Sequence, residues 1–107
     1  MKRKNNSFDR IKLYELLRKI PKGKVVTYGT LAKMLGNRFW ARAIGNALHI
    51  NPDGIKYPCY KVVNHKGKLT DNYVFGGIDA QKQRLESDGI TVIDYTVDLK
   101  KYGITEL

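Results

Sequence analysis

Cysteine is nearly absent from this chain: 107 residues contain one, Cys59. A single thiol cannot close an intramolecular disulfide, which fits a reducing, cytoplasmic setting. With only His49 and His65 beside it, the sequence has no zinc-ligand spacing, so no metal or other cofactor is expected. No apolar run is long enough to span a membrane, and no secretory signal pattern is present. The basic opening Met1-Lys2-Arg3-Lys4-Asn5-Asn6 leads into an amphipathic pattern instead. Repeats, linkers and low-complexity segments are also missing, so the chain reads as one domain over 1–107. Hydrophobic residues make up 42%, enough for a modest core and too many for a disordered chain.

Acidic residues are scarce where basic ones are dense. Residues 1–70 hold 16 lysines and arginines against 3 acids, whereas residues 71–107 hold 4 against 7, which together give the net +10. A basic front and a slightly acidic back suggest a face that meets a polyanion.

Ser7 is placed to cap a helix from Phe8 to about Lys19, with Phe8, Ile11, Tyr14, Leu17 and Ile20 at helical spacing. Pro21 and Gly23 end it, and Val25-Val26 reads as a brief strand. Thr27 caps a second helix carrying Leu31, Met34 and Leu35, which Gly36 closes. A third helix is expected from about Arg38 to Ile50, with Ala43, Ile44, Ala47 and Leu48 as its apolar stripe. Two helices about a tight glycine turn read as a helix-turn-helix. Asn51-Pro52-Asp53-Gly54 is a turn that delivers the chain to Tyr57-Pro58-Cys59. Pro58 fixes its own φ and extends Tyr57, which sets the thiol at a defined turn. Val62-Val63 and Lys68-Leu69 flank the turn Asn64-His65-Lys66-Gly67 as a possible hairpin or wing. Gly76-Gly77 opens a fourth helix to Ser87, and Ile90, Val92, Val97 and Leu99 alternate loosely as an extended strap. The fold class expected is α+β, mostly helical, of winged helix-turn-helix type.

The ordered set Val26-Thr27-Tyr28-Gly29 with Leu31-Ala32, Ala41-Arg42-Ala43-Ile44-Gly45, Asn51-Pro52, Pro58-Cys59 with Val62-Val63, and Phe75-Gly76-Gly77 resembles the C-terminal domain of the O6-alkylguanine-DNA alkyltransferases. The likeness runs from about Phe8 to Gly89. Family members flip an alkylated guanine out of duplex DNA and move the alkyl group irreversibly onto the cysteine. The resemblance implies that Arg42 enters from the minor groove to fill the vacated stack, and that Tyr28 crowds the target phosphate. It sets Ala41, Gly45 and Lys61 beside them on DNA. Asn51 would brace the cysteine turn, the backbone around Val62 would read the guanine edge, and Leu48, Phe75 and Gly76 would line the lesion pocket. The physics stands apart from the family: flipping costs a few kcal/mol of unstacking, and a long cationic side chain both fills a gap and is drawn to phosphates.

The family's active-site turn has histidine and arginine after the cysteine, where this chain has Tyr60 and Lys61. That histidine belongs to a relay with a carboxylate behind it, and Asp88 stands where the family has glutamate. With a thiol pKa of about 8.5, only about 3% is ionised at neutral pH. Tyrosine is mostly a donor and a poor proton acceptor, so Cys59 is expected to react slowly unless Lys61, a helix dipole or the substrate assists. Nothing here matches the family's N-terminal domain. In that respect the chain resembles the short alkyltransferase-like proteins, which bind the lesion without repairing it and recruit other repair proteins, but which typically carry tryptophan at the cysteine position. Three readings stay open: a monomeric alkyltransferase using Cys59, a non-catalytic damage-recognition protein, and a winged helix-turn-helix regulator.

Overall fold

The computed structural model describes residues 7–107; the basic segment 1–6 lies outside them. Helix α1 (Arg10–Lys19) starts later than the sequence suggests, because Asp9 and not Ser7 is its N-cap. The Asp9 carboxylate accepts from the amides of Ile11 (2.9 Å) and Lys12 (3.2 Å), satisfying orphan donors and facing the positive end of the helix dipole. The inner face is Leu13, Tyr14 and Leu17, with Ile20 just beyond; Ile11, expected inside, points to solvent at 62% exposure.

Strand β1 (Val26–Thr27) runs straight into helix α2 (Tyr28–Leu35), where Thr27 Oγ1 accepts from the amide of Thr30 and Gly36 ends the helix at φ 107°. Leu31 and Ala32 are its buried residues, with Met34 and Leu35 half-buried. The expected third helix divides in two. Asn37 Oδ1 accepts from the amide of Phe39 at 2.9 Å and starts a 3₁₀ turn, Arg38–Trp40, before helix α3 (Ala41–His49) begins. Ile44, Ala47 and Leu48 bury one side of α3 against α2.

The pairing of the short strands departs from the expected wing. Strand β2 (Val62–Val63) pairs parallel to β1, Val26 with Val62 and Thr27 with Val63, and not with Lys68-Leu69. Both of its valines are buried, as suits a parallel strand covered on both faces. Lys68-Leu69 instead meets the tail, through a Lys68–Thr96 bridge and a 2.8 Å bond from the Leu69 amide to Tyr95 O. Helix α4 (Gly77–Ser87) follows, and the tail is a folded hairpin, β3 (Val92–Ile93) antiparallel to β4 (Thr96–Val97), then helix α5 (Leu99–Tyr102). Asp94 and Tyr95 form the hairpin turn, both with positive φ (51° and 56°), as a turn matched to strand twist requires. The two-residue turn is what the loose alternation of the tail concealed. Gly67 touches this hairpin so closely that a Cβ there would sit 2.2 Å from Val97 O. The result is a mostly helical α+β fold whose core joins α1, α2, α3 and the buried strands. No described helix is long and apolar enough to cross a membrane.

Candidate functional site

The thiol is held by a stack of local turns. Asn51, almost fully buried after α3, donates from Nδ2 to Tyr57 O (2.8 Å) and accepts from the Asp53 amide on Oδ1 (3.0 Å). The Cys59 amide donates to the same Tyr57 carbonyl at 2.7 Å. Pro58, at φ −74° and ψ 76°, is the centre of this inverse γ-turn. Tyr57 stacks on Tyr14 with ring centroids 5.0 Å apart, and Tyr14 Oη donates to Ala47 O of α3 (2.8 Å). These two contacts tie the cysteine turn to α1 and α3.

Cys59, Tyr60 and Lys61 form a buried 3₁₀ turn. Burial pushes the Cys59 thiol up; the Asn51 amide, the local backbone and the Arg84 charge pull it part of the way back. Tyr60 Oη donates to Asp88 Oδ2 at 2.7 Å, and the Arg84 guanidinium lies 5.0 Å from its ring centre. Burial first, then the Asp88 carboxylate, raise the phenol far above its ordinary value. Tyr60 thus keeps its proton and spends it on Asp88.

Lys61, expected on DNA, is turned inward in the unbound fold. Its ammonium is buried, donating to the carbonyls of Ile20 (3.0 Å) and Pro21 (3.4 Å) and lying 4.0 Å from Asp88 Oδ2. Desolvation lowers its pKa and Asp88 opposes that. The α1 C-terminal carbonyls supply partners the sequence does not reveal.

Beside Cys59 is a cavity of about 10 Å³, room for about one water, lined by Tyr28, Leu48, Cys59, Val62, Thr70, Asn72, Tyr73 and Gln81. The expected residues Tyr28, Leu48 and Val62 thus converge on the thiol. Phe75 and Gly76 are not among its walls. Phe75 is 40% exposed and lines a neighbouring open cleft of about 430 Å³ with Pro52, Gly54 and Arg84, reached across Tyr73, which borders both spaces. There the chain needs glycine, since a Cβ on Gly54 would meet the Phe75 ring at 2.7 Å. Gly76 serves as the N-cap of α4 at φ 129°.

Thr70, Asn72, Tyr73 and Gln81 escaped the sequence reading. Asn72 Nδ2 donates to Gly45 O (3.1 Å) and reaches Tyr28 Oη (3.5 Å), clipping the loop onto α3 and α2. Gln81 interrupts the apolar stripe Ile78–Leu85 of α4, and that break in periodicity is the one signal that could have exposed it. Outside the cavity, Ala41 and Arg42 are exposed at the start of α3, and Arg42 makes no hydrogen bond or ion pair among the described residues. The cavity lining contains no histidine, lysine or carboxylate, and no metal-ligand cluster occurs among the described residues.

The profile of the 6-O-methylguanine DNA methyltransferase DNA-binding domain matches residues 9–90. The chain is 41% identical over 93 residues to the DNA base-flipping protein of Vibrio parahaemolyticus, covering 86% of this chain and 91% of that protein. It is 46% identical over 90 residues to the bifunctional methyltransferase/endonuclease of Picrophilus torridus, which is 84% of this chain but only 30% of that one. Its fold overlays that of Schizosaccharomyces pombe Atl1, solved in complex with damaged DNA containing O6-carboxymethylguanine, with a TM-score of 0.80 at 31% identity over 91% of this chain and 94% of that one.

Proposed function

From the premise that this chain belongs to the family of the 6-O-methylguanine DNA methyltransferase DNA-binding domain, we propose that it recognises O6-alkylguanine in duplex DNA by base flipping and holds the lesion for other repair proteins. α2 and α3 act as the DNA-facing helix-turn-helix, with Tyr28 and Ala41 against the backbone. Arg42 is exposed and uncommitted at the start of α3, able to occupy the stack from the minor groove. The Gly45 carbonyl accepts from Asn72, which ties the pocket loop to this helix. The cavity beside Cys59 is the lesion site, and it must widen to admit a base.

The observation that carries recognition over repair is the state of the thiol. Cys59 is buried, its pKa is raised, and no group lining the cavity can take its proton. The neighbouring phenol is a donor already engaged with Asp88. A recognition protein needs only the pocket and a filler for the stack.

Stoichiometric transfer is the second reading, favoured by one fact: the nucleophile is present in the cavity wall. In that step the thiolate attacks the alkyl carbon, the carbon–oxygen bond breaks, and guanine leaves with the electron pair and takes up a proton at N1. The thioether that results is permanent. Intact-protein mass spectrometry after incubation with an O6-methylguanine duplex separates the two readings. Tight lesion binding without mass gain is the result expected; a gain of one methyl group on the Cys59 peptide establishes transfer.

A further inference from the structure

Gln81 lies in the middle of α4 with 3% of its surface exposed. Its Nε2 donates to two main-chain carbonyls, Tyr60 O at 2.9 Å and Val62 O at 3.1 Å. Both partners are acceptors only, so the orientation of the amide is set: nitrogen towards the cysteine turn, oxygen away from it. That oxygen, Oε1, has no partner, and it is the only buried side-chain polar atom so placed among the described residues. Gln81 also lines the cavity beside Cys59. A buried carbonyl oxygen left without a donor is costly, and such exceptions mark places where a ligand or water completes the shell.

The chemistry of the lesion says which donor would serve. Alkylation at O6 removes the N1 proton of guanine, leaving N1, N3 and N7 as acceptors. The exocyclic 2-amino group is then the one N–H donor on the base. Within the backbone around Val62, which the resemblance implies would read the guanine edge, the Val62 carbonyl accepts one hydrogen bond from Gln81. Among the other polar side chains of the cavity, Asn72 commits its amide nitrogen to Gly45 O and Tyr28 Oη, and none but Gln81 has a buried polar atom without a partner. Gln81 presents the open acceptor.

We propose that Gln81 is a specificity-determining residue whose Oε1 accepts a hydrogen bond from the 2-amino group of the flipped O6-alkylguanine. This rests on the lesion-binding reading above. Purines without a 2-amino group leave the amide oxygen buried and unpaired, so the pocket selects 2-aminopurine-type bases.

The test is a cycle of binding measurements by fluorescence anisotropy. Wild type and Gln81→Met are titrated with duplexes identical except at one base: O6-methylguanine, O6-methylhypoxanthine (the same base without its amino group), or guanine. Differences in pairing strength cancel between the two proteins. Wild type is expected to prefer O6-methylguanine over O6-methylhypoxanthine by about tenfold more than Gln81→Met does. An identical preference in both proteins overturns the proposal. Circular dichroism checks that Gln81→Met folds; if it does not, Gln81→Asn, which withdraws the amide by one methylene, should likewise shrink the preference, and an undiminished one overturns the proposal. Wild type binding O6-methylguanine no more tightly than guanine would instead remove the lesion-binding reading itself, an outcome separate from the loss of amino-group selection alone.

Discussion

Tyr60 Oη stands 2.7 Å from Asp88 Oδ2, joining the residue after the pocket cysteine to the C-cap of α4. Lys61 approaches the same carboxylate oxygen at 4.0 Å while donating to the end of α1. One carboxylate thus anchors both residues that follow Cys59. Tyr60→Phe should therefore cost stability, about 1–3 kcal/mol for a hydrogen bond to a charged group. Urea unfolding measures it, and lesion affinity should stay close to wild type because Tyr60 is not a wall of the cavity.

Alkaline pH should weaken the fold. Cys59 and Tyr60 both have raised pKa values, so the folded state holds their protons after the unfolded state has begun to lose them. Their contribution is fully present below the unfolded values and falls as pH climbs past roughly 9 to 10. Unfolding free energy followed from about pH 7 to about pH 10.5 should be flat and then decline. Tyr60→Phe should show a shallower decline, and an unchanged slope would remove Tyr60 as a cause.

Tyr60→His should supply the missing base. An imidazole beside Cys59, with Asp88 behind it, titrates near pH 6.5 and can take the thiol proton, as a phenol engaged with a carboxylate cannot. The expected readout is methyl gain on the Cys59 peptide in Tyr60→His, faster than any in the native protein and less dependent on pH. Absence of gain in both, with excess lesion and long incubation, makes Cys59 a pocket wall only. Cys59→Ser should keep lesion binding in either case.

Arg42→Ala should discriminate between substrates. Filling a vacated stack matters in a duplex and much less in a single strand, where fewer stacking contacts must be replaced. About a tenfold loss on O6-methylguanine duplexes with a smaller loss on the single strand is expected. Equal losses would make Arg42 a phosphate contact.

Binding to any duplex should depend on salt. The net charge is +10, concentrated in the first 70 residues. Neutralising about five or six phosphates gives a log–log slope of roughly −4 to −6. A flat titration would exclude the polyanion face.

Much of this was legible along the chain because it obeys local rules. Thr27 and Gly36 cap α2 through contacts within a few residues, and the stripe Ile44–Leu48 follows from helical periodicity alone. The likeness carried Cys59, Tyr28 and Leu48 to one place, and the cavity holds all three. Ser7 and Asp9 illustrate the limit: both are good caps, and only the bonds to Ile11 and Lys12 chose between them.

What the sequence by itself determined, then, is the succession of the first helices and the strand between them, the caps of α2 and the apolar stripe of α3, since these depend on neighbours in the chain. The tertiary structure alone decided three things. Val62-Val63 joined Val26-Thr27 across 36 positions because two buried valines find a covered parallel partner there, leaving Lys68-Leu69 to the tail. Lys61 went inside because the carbonyls of Ile20 and Pro21, forty residues earlier, accept its protons. Gln81 reached the cavity because the carbonyls of Tyr60 and Val62 hold its nitrogen and turn its oxygen away from them. In each case the partner is distant in sequence, and the fate of a polar or strand residue is set by the groups that folding brings within hydrogen-bond reach.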